Sequence, residues 1–550
     1  MNTRGVRGKH PFWIGLLAGL VAGIAATGVM LLLNATSGGI SLPEVIGSEF
    51  TLLIPPSLFD SLHLAIGAAA KHYLFYGILV GQCLVFALSG AVFHQGVTAR
   101  WQRLHWYQGL LLALILWLLT GMILLPITGA GIFGAQLHAG IGAGMLSLAI
   151  VGLVFGILYI LVLLWLTSHI PQASPFQNNI HQVSRSDEMN RMLSRRAILK
   201  RGVVLIGLGA VGVGFWRIIS AGASTSKVSL AHVLQQYTPK IVPPPTPNYG
   251  EVHPAGSLSP EITPNNQYYI VTKNLFADPT VDASAWQLVV DGQVDHPFTL
   301  TYQELLTQPM QQQYESMMCV SNEVGGPYMS NALWEGIPLR DLLQHAGVKT
   351  GATKVAFHAA DDYSDSIHLI KALAPTTLLA VRMNGTALPQ EHGFPARLLV
   401  PGIYGMKHCK WITRIEVVNY DYQGYWQQRG WSDAAPVRLT SRIDTPLDSS
   451  TVTANRSTYI AGVAFSGDKG ISEVDVSTDA GKTWQRATLK QPLSGLTWVL
   501  WEFAWQPPRG KSIVTVRAID LDGNVQDPHI EPPLPNGSSG YHSITVNALS

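Results

Sequence analysis

A chain of 550 residues is too long for a single hydrophobic core, so several domains are expected. Hydrophobic residues make up 47% of the sequence and charged residues 13%, a balance that indicates a membrane portion. The net charge of +2 gives no electrostatic basis for binding nucleic acid. The three cysteines, Cys83, Cys319 and Cys409, lie in unlike surroundings and form no CxxC pair, which argues against a disulfide framework and a zinc ribbon.

Long apolar runs dominate the N-terminal part of the chain. They predict five membrane spans, at Phe12–Leu33, Tyr73–Phe93, Tyr107–Phe133, Ile141–Leu166 and Val203–Ala221. Each run is about long enough to cross a bilayer core of ~30 Å. Buried helices of a soluble core are the alternative, but five runs with almost no charge favour membrane helices.

The loops between the runs differ in charge. Arginines and lysines precede the first run, lie between the second and third, and cluster before the fifth, whereas the loop from Thr36 to Ala70 has none. By the positive-inside rule the N-terminus is cytoplasmic, and five crossings place the chain after Ala221 on the outer side. We therefore expect a multi-pass cell-membrane protein with an extracytoplasmic C-terminal part.

Three segments follow the fourth run. Ser194-Arg-Arg-Ala-Ile-Leu-Lys200 resembles the twin-arginine export signal, and a basic stop before a membrane helix is the alternative. Gly207-Leu-Gly209-Ala-Val-Gly212 matches GxGxxG but lies inside an apolar run with no strand before it, so helix packing is favoured over nucleotide binding. Ile241-Val-Pro-Pro-Pro-Thr-Pro247 predicts an extended linker.

The C-terminal half changes to short β-type runs separated by turns. Strands are predicted at Trp286–Gly292, Ala396–Pro401 and Trp411–Val418, and a short helix at Leu339–His345, which indicates an α+β domain.

From about Asp444 the pattern is β only. Strands are predicted at Tyr459–Phe465, Ile471–Ser477 and Ser512–Asp520, with a hairpin turn over Thr478–Trp484. Strands at this short spacing predict an immunoglobulin-like sandwich. The expected domains are an all-α transmembrane bundle over residues 1–200, a fifth span over 201–222, a Pro-rich linker over 223–260, an α+β domain over 261–440 and a β-sandwich over 441–550.

The α+β part carries one unusual cluster of side chains. Cys319 follows a predicted strand, and a lone cysteine is more often a small buried hydrophobe than a ligand. Basic residues gather downstream and could grip an anion such as phosphate, with a solvated basic loop as the alternative. These basic residues are His392, Arg397, Lys407, His408 and Lys410. Spacing alone does not separate the two interpretations.

Several segments of this half form a linked series. They are Thr263-Pro-Asn-Asn-Gln-Tyr-Tyr269, Met383-Asn-Gly385, Leu388-Pro-Gln-Glu-His-Gly-Phe-Pro-Ala-Arg397, and Val400-Pro-Gly402 with Gly405–Trp411. Together they resemble the molybdopterin-binding domain of the sulfite oxidase family. The tail, with Asp475–Ser477 and Asp479-Ala-Gly-Lys-Thr-Trp484, resembles the dimerisation domain of that family, which implies a homodimer.

The resemblance implies a molybdenum–molybdopterin cofactor, with Cys319 as the thiolate ligand of the metal. His392 and Arg397 match residues that hold the pterin and its phosphate. Tyr363 matches a tyrosine beside the metal, and Lys273 is expected near the same pocket. Further cofactor contacts match Asn266, Tyr269, Ile270, Asp361, His408, Cys409 and Lys410.

One departure bears on the substrate. Sulfite oxidases place arginines that bind sulfite after the ligand cysteine, whereas this chain has Glu323 there. A carboxylate would repel a sulfite dianion, so a small neutral substrate such as a sulfoxide or N-oxide is expected. The predicted function is oxygen-atom transfer by a membrane-anchored oxidoreductase, and a non-catalytic binding or assembly protein with the same fold is the alternative.

Such a reaction needs an electron partner, either a membrane quinone or a cytochrome. The membrane half contains His63, His72, His94, His105 and His138. His72 and His138 fall near the outer ends of predicted spans and are candidates to ligate one haem b. Histidines at helix ends are, however, commonly interfacial polar residues without a metal.

Overall fold

The computed structural model describes residues 11–53, 70–100, 105–137, 139–167, 253, 257–274 and 277–549. The chain divides into two compact units, one built from the N-terminal helices and one from the C-terminal strands. Each unit is described by itself. The fifth predicted span, the twin-arginine-like segment, the linker, His63 and His138 lie outside the described residues, as does the side chain of His72.

The N-terminal unit is helical. Its helices are α1 (Pro11–Ser37), α2 (Leu42–Leu53), α3 (Ala70–Arg100), α4 (Tyr107–Leu119), α5 (Leu125–Ile127) and α6 (Gly140–Thr167). A π-helical turn, Thr120–Leu124, joins α4 to α5. Within the described part of the chain, four helical stretches are long and apolar enough to cross a membrane: Pro11–Thr36, Tyr73–Val97, Tyr107–Ile127 and Gly140–Thr167. They coincide with the first four predicted spans, whereas α2 was not predicted.

Small residues bring these helices close together. A Cβ added at Gly15 of α1 would lie 2.7 Å from the backbone oxygen of Gly90 in α3. A Cβ at Gly109 of α4 would lie 2.3 Å from the oxygen of Gly156 in α6. Side chains would separate both pairs, so glycine permits these close backbone contacts, as small residues do between membrane helices.

The C-terminal unit begins with a mixed α+β part. Its short helices are α7 (Tyr302–Leu306), α8 (Leu339–Ala346) and α9 (Leu369–Ala372). Its strands are β1 (Gln287–Gly292), β2 (Phe298–Thr301), β3 (Gln311–Met318), β4 (Met329–Pro338), β5 (Lys354–Ala359), β6 (Ser364–His368), β7 (Leu378–Met383), β8 (Thr386–Ala387), β9 (Arg397–Leu399) and β10 (Ile412–Val418). One sheet has the order β2-β1-β10-β5-β6, and the other has β3-β4-β7-β8 with β9 on β7.

Local sequence explains the helix boundaries in this part. Thr301 and Glu304 form a capping box at the start of α7, since each side chain bonds the other's backbone N–H. Gly347 ends α8 in the left-handed conformation, with φ of 69°, which glycine adopts without a Cβ penalty.

The last part of the chain contains two sheets and no described helix longer than a single turn. Its strands are β11 (Thr440–Thr445), β12 (Ser450–Thr453), β13 (Thr458–Phe465), β14 (Ile471–Ser477), β15 (Gln485–Arg486), β16 (Thr488–Leu489), β17 (Val499–Trp505), β18 (Gly510–Asp520) and β19 (His542–Leu549). The orders are β11-β13-β17-β16 and β12-β19-β18-β14-β15. The two sheets share one core, in which Ile460 and Trp501 of one meet Val474 and Val516 of the other. The predicted hairpin is confirmed, because β14 pairs with β15 across it. An immunoglobulin-like topology remains a prediction.

The α+β part packs against the β part within this unit. Met318 and Val320 pack in one core with Phe465, Trp498 and other residues of the β part.

The segment that precedes β1 is also held from the β part. Asp444 accepts bonds from Ser257 Oγ at 2.7 Å and Ser259 N at 3.0 Å. The Lys490 ammonium forms a buried ion pair with Glu261, and Trp498 Nε1 donates to the Glu261 backbone oxygen at 3.2 Å.

Candidate functional site

Cys319 lies directly after β3, where the strand ends against the β part. Its backbone N–H donates to Tyr328 O at 2.9 Å, and its Sγ lies 3.0 Å from Ser321 Oγ. The residue is buried, and burial raises the pKa of its thiol despite the Ser321 contact. All three cysteines of the chain are free thiols. The thiol thus stays protonated unless a cation such as a metal ion stabilises the thiolate.

The segment around Tyr268 and Tyr269 forms one wall of the site. The two rings stack with centroids 5.6 Å apart. Tyr268 also meets the ring of His392 edge-on at 5.5 Å. His392 Nε2 lies 2.8 Å from Asn265 O, which joins this segment to the predicted phosphate-binding histidine. Burial lowers the pKa of His392 to about 4, so the imidazole is neutral near pH 7.

Arg397 lies at the centre of the site. The residue is 4% exposed, and its guanidinium lies 5.3 Å from the centroid of the Trp334 ring and donates to His392 O at 3.0 Å. Its other nearby acceptors are Met317 Sδ at 3.4 Å and His408 O at 3.5 Å. No acidic partner of Arg397 occurs in the ion pairs of the described residues, although Glu315 lies close enough to act on its pKa. A buried cation with mainly neutral acceptors is electrostatically prepared for an anion.

Buried polar atoms near Arg397 lack partners. Burial raises the pKa of Glu315 to about 8, so this carboxyl is largely protonated at neutral pH. We call the set around this arginine the Arg397 cluster: Tyr268, Tyr269, Glu315, Arg397 and His408. Within the described part of the chain, buried atoms without a hydrogen-bond partner include Tyr268 Oη, Tyr269 Oη, Glu315 Oε1, Arg397 Nε and His408 Nδ1. Such atoms are costly unless a ligand or water satisfies them.

The loop that follows β9 contributes the rest of the predicted pterin contacts. Cys409 and His408 are buried, and burial lowers the pKa of His408 to about 3. Cys409 O accepts from Leu398 N at 2.8 Å, and Lys410 Nζ donates to Glu391 O at 3.0 Å. This loop is therefore not a solvated basic face.

Lys407 has a different setting from the other basic residues. Its ammonium is 1% exposed and pairs with Asp365 at 2.8 Å and Asp433 at 3.0 Å. The expectation that Lys407 is available to grip an anion is therefore wrong, because two carboxylates already satisfy it.

Tyr363 and Asp361 lie on the turn into β6. Asp361 Oδ1 accepts from Tyr363 N at 3.1 Å. The Tyr363 hydroxyl lies 2.9 Å from Asp365 Oδ2 and 2.6 Å from Met406 O. Burial, and then the charge of Asp365, raise the pKa of this phenol well above its usual value. The Tyr363 phenol is therefore neutral, and its hydroxyl contacts acceptors inside the protein.

Three predicted residues lie at the margin. Asn266 and Ile270 are exposed on the segment that carries Tyr269. Lys273 Nζ lies 5.4 Å from the centroid of the Tyr425 ring, which itself lies 5.9 Å from that of Tyr363. Arg429 lies over the same Tyr425 ring at 3.4 Å.

The sequence did not single out several neighbours of the site. Tyr268 and Asp365 stand inside segments that were quoted for other residues, so a polar side chain within a matching motif was the available signal. Glu315 gave no signal, because the last four residues of β3 are buried on both faces and the strand lacks simple alternation. Trp334 lies in a strand that is buried throughout.

The arrangement fits a molybdopterin cofactor. The partnerless donors and acceptors of the Arg397 cluster suit a polar, anionic group, and Cys319 supplies one soft ligand. No group of three or more histidine, cysteine or acidic side chains that could hold a metal occurs among the described residues. A metal at Cys319 would thus depend on ligands that a cofactor brings.

Comparisons with known proteins support the same cofactor. Residues 276–426 match the oxidoreductase molybdopterin binding domain, and residues 434–532 match the Mo-co oxidoreductase dimerisation domain. Human mitochondrial sulfite oxidase is 32% identical over 320 residues, which cover 49% of this chain and 58% of that protein. Chicken sulfite oxidase is 30% identical over 320 residues, covering 49% of this chain and 69% of that protein.

A solved structure, the sulfane dehydrogenase SoxCD from Paracoccus pantotrophus, aligns over 53% of this chain and 82% of that chain, with a TM-score of 0.47 and 23% identity. The chain spans a little over half of the human enzyme's length, 58%. The two domain matches and the identity over more than two thirds of the chicken enzyme establish that this chain belongs to the sulfite oxidase family of molybdopterin oxidoreductases.

Proposed function

We propose that the chain is a membrane-anchored molybdopterin oxidoreductase that transfers an oxygen atom to or from a small substrate. The proposal rests on the proximity of one buried thiol, that of Cys319, to the buried polar atoms of the Arg397 cluster that lack hydrogen-bond partners. Burial, and then the charge that Cys319 would carry as a thiolate, raise the pKa of Tyr269 well above its usual value, so the sulfur lies close to this cluster.

The proposed roles combine the resemblance to the family with the positions of the residues. The cofactor, when bound, supplies the metal that exchanges oxygen and electron pairs with the substrate. Arg397 and His392 hold the anionic and polar parts of the pterin, together with Asn266, Tyr269, Ile270 and the loop of His408, Cys409 and Lys410. Asp361 orients Tyr363 by accepting its backbone N–H, and Cys319 provides the thiolate.

For the substrate, we propose a neutral oxo-compound such as a sulfoxide or N-oxide. Glu323 places a carboxylate four residues after Cys319 where an anion would need positive charge. Its side chain is exposed, so water and salt screen part of that repulsion.

A small anion such as sulfite is the second candidate. It is favoured by Lys273 and Arg429, which both lie against the Tyr425 ring beside Tyr363. It is favoured also by the names of the human and chicken relatives, which are sulfite oxidases. Steady-state turnover of sulfite, dimethyl sulfoxide and trimethylamine N-oxide, with artificial donors and acceptors, separates the candidates. High-affinity turnover of sulfite would overturn the argument from Glu323.

We propose further that the C-terminal unit lies outside the cytoplasm, that it forms homodimers and that a membrane quinone or a cytochrome exchanges electrons with it. The four apolar helices support the membrane anchor, and the dimerisation-domain match supports the dimer. A haem b at His72 and His138 remains a hypothesis, which the absorption spectrum of purified protein tests.

Metal analysis of Cys319→Ser tests the central proposal. Full-length protein from cells that make the cofactor should contain molybdenum, and the variant should lose most of it. Cys83→Ser is the matched control, because Cys83 is also a free thiol but lies in α3, outside the proposed site. Equal molybdenum in the parent and Cys319→Ser would refute the ligand assignment. Absence of molybdenum from the parent would favour the non-catalytic alternative.

A further inference from the structure

The Tyr363 hydroxyl contacts two acceptors with one proton. Asp365 Oδ2 lies 2.9 Å from it and Met406 O lies 2.6 Å from it. A phenol has one O–H, so this proton is directed into the protein, toward these two oxygens. The lone pairs of the phenol oxygen can accept a hydrogen bond from another group.

Asp365 is arranged to exchange that proton. It is fully buried, and its Oδ1 accepts from Lys407 Nζ at 2.8 Å and from Ser366 N at 2.7 Å. The second oxygen, Oδ2, faces the Tyr363 hydroxyl. The carboxylate therefore has one oxygen held by donors and one oxygen available to the phenolic proton.

A row of charges balances Asp365 and reaches the surface. Lys407 also pairs with Asp433 at 3.0 Å, and Asp433 pairs with Lys354 at 2.7 Å. Lys354 pairs in turn with Asp421, whose side chain is 73% exposed. We call Asp365, Lys407, Asp433 and Lys354 the Lys407 network. Two cations and two anions make it neutral, so a proton added to Asp365 leaves a single excess positive charge, which Asp421 lies near enough to offset.

We propose that Asp365 is the proton-exchange partner of Tyr363, so that Tyr363 meets the substrate as a hydrogen-bond acceptor rather than a donor. A proton that leaves the reacting group forms a new O–H bond on Tyr363, while the original phenolic O–H breaks and its proton forms an O–H bond on Asp365 Oδ2. The reverse transfer returns the proton. Tyr363 stays neutral throughout, and no electron moves in this step. The inference rests on the proposed function for its biological use, but not for its test.

The test replaces Tyr363 with 3,5-difluorotyrosine in the full-length protein, and follows its ¹⁹F chemical shift against pH. The charged and titratable groups that face Tyr363 are Asp361, Asp365, Cys409 and Tyr425, with Lys407 behind Asp365. In Asp365→Asn the carboxylate no longer opposes ionisation of the phenol, so the midpoint should fall by at least about one pH unit. An unchanged midpoint would overturn the proposal.

Glu335→Gln is the matched control for that titration. Glu335 is a buried carboxylate paired with Arg382 in the same unit, but it has no bond to Tyr363 or to the Lys407 network among the contacts of the described residues. Its substitution should leave the ¹⁹F midpoint in place. An equal fall in this variant would mean that the shift reports general loosening, and it would overturn the proposal.

Turnover of the metal-loaded protein provides a second readout. Tyr363→Phe and Asp365→Asn should each lower kcat at least about tenfold with little change in KM, and the double variant should be no slower than either. Additive losses would overturn the proposal. Tyr363→Phe removes one hydroxyl only, so an unchanged kcat in this variant would overturn the proposal even if Asp365→Asn fails to fold. Absence of molybdenum would contradict the proposed function only. The ¹⁹F midpoints test this inference independently of the cofactor.

Discussion

Two buried cations ten positions apart, Arg397 and Lys407, have opposite surroundings. Arg397 meets backbone oxygens, a sulfur and an aromatic ring, and atoms of its cluster lack partners. Lys407 meets two carboxylates and the backbone oxygen of Ser366 at 2.9 Å. A cation that the protein leaves unneutralised is prepared for an outside anion, while a neutralised cation stabilises the fold or holds a proton partner. The difference explains why two basic residues in neighbouring motifs have different roles.

The largest expected effect concerns the neutralised cation. Lys407→Met leaves Asp365 and Asp433 in the protein interior without this partner, which costs about 3–5 kcal/mol of folding free energy. Differential scanning calorimetry of the full-length protein in detergent should show a large fall in Tm for the C-terminal unit. Arg382→Met, which breaks the buried Glu335 pair, should show a similar fall. An unchanged Tm in Lys407→Met would contradict the proposed difference between the surroundings of Lys407 and those of Arg397.

The neutral histidines predict a pH dependence. The pKa of His392 is lowered to about 4 in the folded chain, so the unfolded chain binds a proton more readily below about pH 6.5. The stability that the neutral His392 imidazole contributes is therefore fully present above pH 6.5 and is lost as pH falls toward 4. His392→Gln should gain stability relative to the parent over that range, by up to about 3 kcal/mol. Thermal unfolding of the metal-free protein at each pH measures the difference, and a constant difference contradicts the neutral state.

The unneutralised cation predicts a loss of cofactor without a loss of fold. Arg397→Met removes charge-assisted hydrogen bonds of about 1.5–3 kcal/mol to the bound anion, which weakens cofactor retention roughly tenfold to a hundredfold. The Tm of the metal-free protein should stay the same or rise, because a buried charge with neutral partners is costly. Molybdenum content and calorimetry test both halves. A marked fall in Tm would show that Arg397 behaves like Lys407 after all.

The smallest effect belongs to an exposed ion pair. Glu473 pairs with Arg486, whose side chain is 65% exposed, in the hairpin of β14 and β15. Glu473→Gln should change the folding free energy by less than about 1 kcal/mol, since water screens exposed pairs. Calorimetry of this variant and of Lys407→Met under the same conditions compares an exposed ion pair with a buried one. A change of equal size in both variants would mean that burial does not set the energy of these pairs.

The sequence predicted most of the fold where the pattern repeats. The spans at Phe12–Leu33 and Ile141–Leu166 and the strands at Ile471–Ser477 and Trp411–Val418 agree with the structure to within a few residues. The third span ends earlier than expected, at Ile127, because the chain turns there and Phe133 adopts a positive φ of 50°. Helix α2 was missed, since it is short and carries Glu44 and Glu49 among its apolar residues.

The site was less accessible to sequence. The linked motifs indicated Cys319, His392 and Arg397, and the structure places His392 and Arg397 in direct contact. The charge state of each basic residue could not be predicted, because Asp365 and Asp433, far apart in sequence, meet Lys407 only in the folded chain. Glu315 was equally hidden, since its protonation depends on burial in a strand without alternation.

The fastening of Ser257, Ser259 and Glu261 to Asp444, Lys490 and Trp498 has a consequence for biosynthesis. Lys490 and Trp498, which complete the support of this segment, lie 229 and 237 residues after Glu261 in the chain. The support for the proposed cofactor-contacting segment is therefore complete only after Lys490 and Trp498 have been synthesised, and we expect cofactor loading to follow that point. Pulse-labelled ribosome-bound chains that stop before Lys490 should accordingly retain no cofactor.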